Sequence, residues 1–212
     1  MRTAISQGTP VPETTRRRRS RIWLLVLGVV LLGGLFVGSS YNTLVGLDQT
    51  VQSQWAQVEN AYQRRNDLVP NLVETVRGAA SFEKETFTQV AQARAQAANA
   101  TLGRAPTPQD LEQFQQAQDQ LGSALSRLMV VVERYPELKA TANFRDLQAQ
   151  LEGTENRIAV ERMRFNQAAQ AFNTRRNTFP TVVVAGVFGT RFAPKAYFTA
   201  QPGAKTPPAV KF

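Results

Sequence analysis

A single apolar stripe constrains this chain more than any other feature. Leu44, Asp48, Val51, Trp55, Val58, Tyr62, Arg65, Val69, Leu72 and Val76 follow one another at alternating spacings of four and three. That period belongs to a helix packing on other helices in a coiled-coil-like seam. Only Asp48 and Arg65 interrupt its apolar character. A charge in such a seam is costly unless paired, so each is expected to have a partner on another helix.

Upstream of the stripe, Arg16-Arg17-Arg18-Arg19-Ser20-Arg21 runs directly into an apolar and glycine segment from Ile22 to Val37. Extended to Tyr41 as a helix, it reaches roughly 30 Å, enough to cross a bilayer. Trp23 and Tyr41 stand at its two ends, where interfacial aromatics are expected. The arginines precede the span and none follows it closely, which predicts a cytoplasmic N-terminus and the bulk of the chain outside. The same pattern opens a cleavable signal peptide, and Val37-Gly38-Ser39-Ser40 is small enough to be cut. The stripe begins at Leu44 with no linker, which favours a retained signal-anchor. Residues 1–15 are read as a disordered tail.

Downstream, four long helices are expected. The first runs from about Leu44 to Asp67. Pro70 lacks an N–H and disfavours helical geometry at Val69, so a turn is expected at Asn66–Pro70. One helix kinked at Pro70 is the alternative. The second spans Asn71 to about Leu102, with Arg94 on its inward side, and Gly103 stops it. Thr107-Pro108-Gln109-Asp110 reads as a helix start: hydroxyl cap, proline at the first turn, acid near the dipole. The third helix turns Leu111, Phe114, Gln118, Leu121, Leu125, Leu128, Val132 and Tyr135 inward and ends at Pro136. Asn143 with Asp146 looks like the cap of the fourth. That helix presents Phe144, Leu147, Leu151, Thr154, Ile158, Glu161, Phe165, Ala168, Phe172, Arg175 and Phe179.

The fold class expected is therefore all-α: a single transmembrane helix (22–41) behind a basic cytoplasmic tail (1–21), then an antiparallel four-helix bundle (42–179). Residues 180–212 form an extended C-terminal tail. It mixes Phe188, Phe192, Tyr197 and Phe198 with Arg191 and Lys195, and is read as a strap on the bundle. Contact with anionic lipid is the alternative.

Composition narrows function by exclusion. The 212 residues include no Cys and no His. Nucleophilic cysteine, Cys/His zinc sites, histidine haem ligation and the Ser-His-Asp arrangement are thereby removed. The formal charge of +9 divides as +5 over residues 1–21, −2 over 42–174 and +6 over 175–212. A nucleic-acid binder carries its basic charge on the folded domain, so nucleic acid is not an expected partner. Glu152, Glu155 and Glu161 are the carboxylates an enzyme would lean on, but a slim bundle offers little cleft. Di-iron sites want Glu-x-x-His pairs. No enzyme, cofactor or metal site is expected.

A specific signature runs through these elements. Tyr41-Asn42 and Leu44-Val45 open it, followed by Trp55, Val58 and Tyr62-Gln63-Arg64-Arg65. Asp67-Leu68-Val69-Pro70-Asn71-Leu72-Val73 and Thr75-Val76-Arg77-Gly78 are its most specific run. Arg134-Tyr135-Pro136-Glu137-Leu138-Lys139-Ala140 comes next, then Asn143-Phe144, Leu147, Leu151 and Glu155-Asn156-Arg157-Ile158. Arg162, Phe165-Asn166 and Phe172-Asn173 complete it. The chain resembles the LemA family from Tyr41 to Val210-Lys211-Phe212. Phe82 stands where many members have His, and Phe165 and Phe172 where many have Tyr.

The resemblance implies a bacterial protein with one N-terminal span, a LemA-like four-helix bundle and no established activity. Some relatives are associated with membrane organelles of magnetic bacteria, and others lie beside envelope or protease genes. The implied role is a scaffold, adaptor or assembly factor at the inner membrane, with protein partners. Separately, Gly34-Leu35-Phe36-Val37-Gly38 matches the GxxxG spacing for close helix approach, so self-association is a further expectation. The runner-up is an envelope sensor taking a small ligand between helices. The candidate polar cluster is Arg64, Arg65, Asp67, Asn71, Glu155, Asn156, Glu161, Arg162, Asn166 and Asn173. It is read first as pairs that set register, and otherwise as a ligand or partner site.

Overall fold

A computed structural model describes residues 13–80 and 83–199, with side chains described from Trp23 onward. Every regular element among them is helical: α1 Glu13–Ala79, α2 Lys84–Asn99, α3 Pro108–Val132, the single turn α4 Pro136–Lys139, α5 Ala142–Asn177 and α6 Thr181–Val187. A 3-10 turn, Gly189–Phe192, follows. The chain divides into two units, Met1–Thr43 and Leu44–Phe212, and α1 contributes to both.

In the first unit, the apolar stretch keeps its side chains outward. Trp23, Leu25, Val29, Leu32 and Leu35 are all exposed. The stretch has a mean hydropathy of 2.1 and is long and apolar enough to cross a membrane. The reading of residues 1–15 as disordered falls mostly outside the described residues, but Glu13, Thr14 and Thr15 already belong to α1.

In the second unit, all ten stripe residues from Leu44 to Val76 are buried, Asp48 and Arg65 included. Two regions of core follow along it. Val69, Leu72 and Val76 join Phe87 and Val90 of α2, Leu121, Leu125 and Leu128 of α3, and Phe144 of α5 in one mainly aliphatic cluster. Around Trp55 the core is aromatic: its ring meets Phe114 edge-on at 5.1 Å and Phe165 at 5.5 Å.

The turn expected at Asn66–Pro70 does not form, because α1 passes through Pro70. Proline leaves the carbonyl four residues earlier without its helical donor, and that carbonyl belongs to Asn66. Arg94 of α2 supplies the missing donor, its Nε lying 2.9 Å from the Asn66 oxygen. Breaking the helix there would also interrupt the burial of Arg65, Val69, Leu72 and Val76. The break falls instead after Ala79, so the expected second helix is divided between the end of α1 and α2. Replacing Pro70 by Ala should restore the local bond and leave Arg94 nearly dispensable. Arg94→Ala is expected to cost about 1–2 kcal/mol in the native chain and under half of that beside Pro70→Ala. Urea unfolding of the four variants measures this coupling; additive costs would show that Arg94 does not serve the proline site.

Other boundaries follow local chemistry. Thr107 and Asp110 form the expected reciprocal cap on α3, each backbone N–H donating to the other's side chain at 3.2 Å. Those hydrogen bonds hold the Asp110 carboxyl below the usual carboxylate range. The preceding loop turns at Gly103, whose φ of 64° suits glycine. Glu59 of α1 accepts the N–H groups of Leu102 and Gly103 there, at 2.8 and 2.9 Å.

Three further expectations change. Pro136 does not end α3, which stops at Val132; it opens α4 instead. The cap of α5 is Thr141, not Asn143, and its hydroxyl accepts the N–H of Phe144 at 3.3 Å. The inward stripe of α5 is half-buried at Leu147 and Leu151, shifts from the expected Ala168 to Ala169, resumes at Phe172 and then fails, since Arg175 and Phe179 are exposed. A helix of 3.6 residues per turn drifts about 20° per heptad against a strict 3.5 repeat. Over the length of α5 that carries Arg175 off the packed face, and Phe179 lies beyond the helix, which ends at Asn177.

The C-terminal tail is not extended throughout. α6 and the 3-10 turn occupy its start, and only residues 193–199 run without regular structure among those described. Val210-Lys211-Phe212 and Phe82 lie outside the described residues.

Candidate functional site

Two polar arrangements stand out in the second unit, and the stripe positions both. The first centres on Arg65. One turn above it, Tyr62 lies beneath its guanidinium, 5.1 Å from carbon to ring centre. The guanidinium donates to Glu155 Oε1 of α5 at 2.9 Å, and to the carbonyl and Oε1 of Gln118 of α3 at 3.1 and 2.7 Å. Gln118 in turn donates through Nε2 to the Ala97 carbonyl of α2 at 3.2 Å. One arginine thus ties α1 to α3 and α5, and its glutamine extends the tie to α2. Five donors in a fixed fork are what such a junction requires. The Nε of Arg65 is buried with no hydrogen-bond partner among the described residues.

Beside this junction lies a groove of about 450 Å³, bordered by Tyr62, Arg65, Asp119, Glu155 and Arg162. Burial pushes the Tyr62 hydroxyl above its ordinary pKa, and the arginines Arg162 and Arg65 only partly counter it. The unfolded chain ionises this group first as pH rises. Its contribution to stability is therefore complete below pH ~10 and is lost as pH climbs through the raised folded value. Denaturation midpoints across this alkaline range should fall more steeply for the native chain than for Tyr62→Phe. Parallel declines would mean that Tyr62 is not held protonated.

The second arrangement fastens the C-terminal strap to α5. Asn166 accepts the N–H of Phe198 at 2.8 Å and donates to its carbonyl at 3.0 Å. Asn173 does the same for Lys195, at 2.8 and 2.9 Å. A carboxamide presents one acceptor and two donors, so it can pair both backbone groups of one residue. Seven helical residues rise about 10.5 Å and three extended ones about 10 Å. The two asparagines therefore match every third residue of a chain running opposite to α5. Side chains seal the strap. Phe198 stacks on Trp55 at 6.1 Å and meets Phe165 at 5.6 Å. Arg162 lies over the Phe198 ring at 4.6 Å and donates to the Thr199 carbonyl at 3.2 Å. Lys195 pairs with the buried Asp48 and sits 4.8 Å from the centre of the Phe172 ring.

The ten sequence-predicted residues thus separate. Arg65, Glu155 and Arg162 meet at the groove. Asn166 and Asn173, with Arg162 again, hold the strap. Arg64, Asp67, Asn71 and Asn156 are exposed and join neither arrangement. Glu161 is buried, but its partners are Arg164 at 3.2 Å and Arg157 at 3.7 Å on its own helix. The expectation of a partner on another helix holds for Arg65 alone among the buried charges. Asp48 finds Lys195 in the strap and Arg191, 3.8 Å away, in the 3-10 turn. Arg175 is not buried at all. Gln118, Lys195 and Tyr62 were absent from the candidate set. Gln118 carried a usable signal, a polar residue between Phe114 and Leu121 on an apolar stripe. Among the described residues no group of three or more Asp or Glu side chains is placed to hold a metal.

Both Asn166 and Asn173 are expected to matter to the strap more than to the helices. Replacing the pair by Ala should cost about 2–4 kcal/mol, at about 1 kcal/mol for each net hydrogen bond. Amide exchange at residues 192–199 should accelerate while α2 and α3 stay protected. Uniform acceleration throughout the unit would place the asparagines in the global fold instead.

An all-helical unit with polar ties through its seam, carried on a helix with a membrane-length apolar stretch, is the class this fold defines. The LemA family model matches residues 54–212, and the chain belongs to the LemA family. Magnetosome protein MamQ 2 of Paramagnetospirillum magneticum is 30% identical over 220 residues, covering 93% of this chain and 80% of that protein. Magnetosome protein MamQ of Magnetospirillum gryphiswaldense is 27% identical over the same shares. Protein LemA of Metamycoplasma hominis is 24% identical over 163 residues, 77% of this chain and 70% of its own length.

Proposed function

We propose that this protein is a membrane-anchored scaffold or adaptor that presents helix surfaces to protein partners and performs no covalent catalysis. In this reading residues 22–41 cross the bacterial inner membrane once, with residues 1–21 cytoplasmic. The second unit is an antiparallel four-helix bundle (42–179) on the far side, closed by the segment from Pro180. The observation that carries the reading is that Arg65, Asp48, Asn166 and Asn173 are engaged in joining segments of the chain. Arg65 holds Glu155 and Gln118, Asp48 holds Lys195, and Asn166 and Asn173 hold the strap. Similarity to proteins named as magnetosome proteins is consistent with work at a membrane.

The test is photocrosslinking in intact membranes, with a photoreactive residue scanned over exposed positions of α2, α3 and α5. A reproducible protein captured from one helix face supports the adaptor. Lipid or self-crosslinks alone at every position would remove its basis.

A second reading rests on the groove beside Arg65. Its volume falls in the range of small-molecule sites, and Arg65 and Arg162 are among the residues that border it. It would suit a small anionic ligand of the envelope. Thermal shifts of the native protein with small carboxylates and phosphates test it, with Arg162→Ala as the variant that should lose the response.

A further inference from the structure

We propose that the outer face of α6 docks on an anionic lipid surface. The sequence of this helix, Thr181-Val182-Val183-Val184-Ala185-Gly186-Val187, carries no charge and is apolar on every side. A helix of that kind is covered all round, in a protein core or by lipid. Here one side is covered: Thr181, Val184 and Ala185 are buried in the body of the second unit. The other side is not. Phe179 is 79% exposed, Val183 58% and Val187 77%, with Val182 beside them. Contiguous apolar surface of this kind marks an interaction site, whereas scattered exposed side chains do not.

The charge around the patch selects the occupant. From Arg175 to Phe212 the chain carries six basic side chains and no acidic one. Arg175 precedes the patch and is exposed. Arg191 follows it, half exposed, with Asp48 of α1 as its acidic neighbour at 3.8 Å. Apolar residues flanked in sequence by cations suit insertion at the boundary between headgroups and acyl chains of an anionic bilayer, roughly 5–10 Å deep. In the anchored reading above, on which this proposal rests, the apolar stretch of α1 brings the same chain to a membrane. A second copy of this chain would place like charges against each other around the patch.

The absence of native cysteine makes the test direct. Single cysteines at Val183 and Val187, and at exposed Ala149 as control, are labelled with an environment-sensitive fluorophore in the full chain. The labelled protein is reconstituted in vesicles of phosphatidylcholine alone or with about one third phosphatidylglycerol. Expected in the anionic vesicles are a blue shift and strong quenching by lipid-borne quenchers at Val183 and Val187, and neither at Ala149. Each basic side chain at the surface strengthens attraction roughly five-fold, so the effect should weaken sharply without the anionic lipid and in high salt. A Val183→Glu, Val187→Glu double variant, labelled at Phe179→Cys, should keep its helical circular dichroism and lose the quenching. Aqueous-quencher access at Val183 equal to that at Ala149 in both vesicles would overturn the proposal. Disulfide formation between copies through these positions, without lipid quenching, would assign the face to a second copy. Equal lipid quenching in neutral and anionic vesicles would overturn the role given to charge.

Discussion

Trp55→Ala is expected to be the most damaging single truncation in the second unit, costing about 4 kcal/mol of unfolding free energy. The side chain is 1% exposed and lies between α3, α5 and the strap, touching Phe114, Phe165 and Phe198. Its removal leaves a cavity bordered by three rings, each of which also loses an aromatic pairing of about 0.5–1.5 kcal/mol. A domain of ordinary stability has about 5–15 kcal/mol in total, so the loss is a large share. Trp55→Phe separates volume from polarity. The indole N–H is buried with no hydrogen-bond partner among the described residues, so phenylalanine discards an unsatisfied donor while keeping most of the packing. It should cost only about 1–2 kcal/mol. Guanidinium unfolding of the full chain in detergent, followed by circular dichroism, measures both. A Trp55→Ala variant within about 1 kcal/mol of native would mean that the strap and core re-close around the gap.

Arg65→Ala is expected to cost about 2–3 kcal/mol. Removing one partner of a fully buried ion pair typically costs about 3–5 kcal/mol because a charge is stranded. Glu155 is not stranded here, since its side chain is 46% exposed and rehydrates. The larger penalty comes from Gln118 of α3, buried against α2, whose side-chain oxygen loses its donor. Glu155→Gln should accordingly cost less than about 1 kcal/mol. Arg65→Lys should not rescue, because an ammonium cannot span Glu155 and Gln118 in the fork geometry of a guanidinium. The decisive comparison is between stability and binding. A variant that folds as well as the native chain and loses a partner or ligand would move Arg65 from the fold to a site.

The helical class and the membrane-length stretch were legible in residue order because they depend on local periodicity. So was most of the buried face of α1, where all ten residues of the 3/4 stripe are buried, with Ala61, Asn66 and Val73 beside them. The cap at Thr107 was legible for the same reason: donor and acceptor lie three residues apart. Only part of the polar cluster was legible. Arg65 announced itself by standing in an apolar stripe, but nothing near it in sequence points to Gln118 or Glu155. Asn166 and Asn173 stood out as residues of a signature. Their work is on a strap whose backbone carries no sequence pattern of its own, so their partner could not be read.

What residue order determined by itself is therefore the all-helical class, the cap of α3 and which side of α1 is buried. Those properties are decided within one or two turns of chain. Tertiary structure alone decided that α1 continues through Pro70, because the donor for the Asn66 carbonyl comes from Arg94 on another helix. It also decided that Asp48 is neutralised by Lys195 and that α5 loses its stripe beyond Phe172. The physical reason is common to all three. A broken hydrogen bond, a buried charge or a drifting face is resolved by whatever group packing brings within about 3–4 Å, and sequence distance places no limit on where that group comes from.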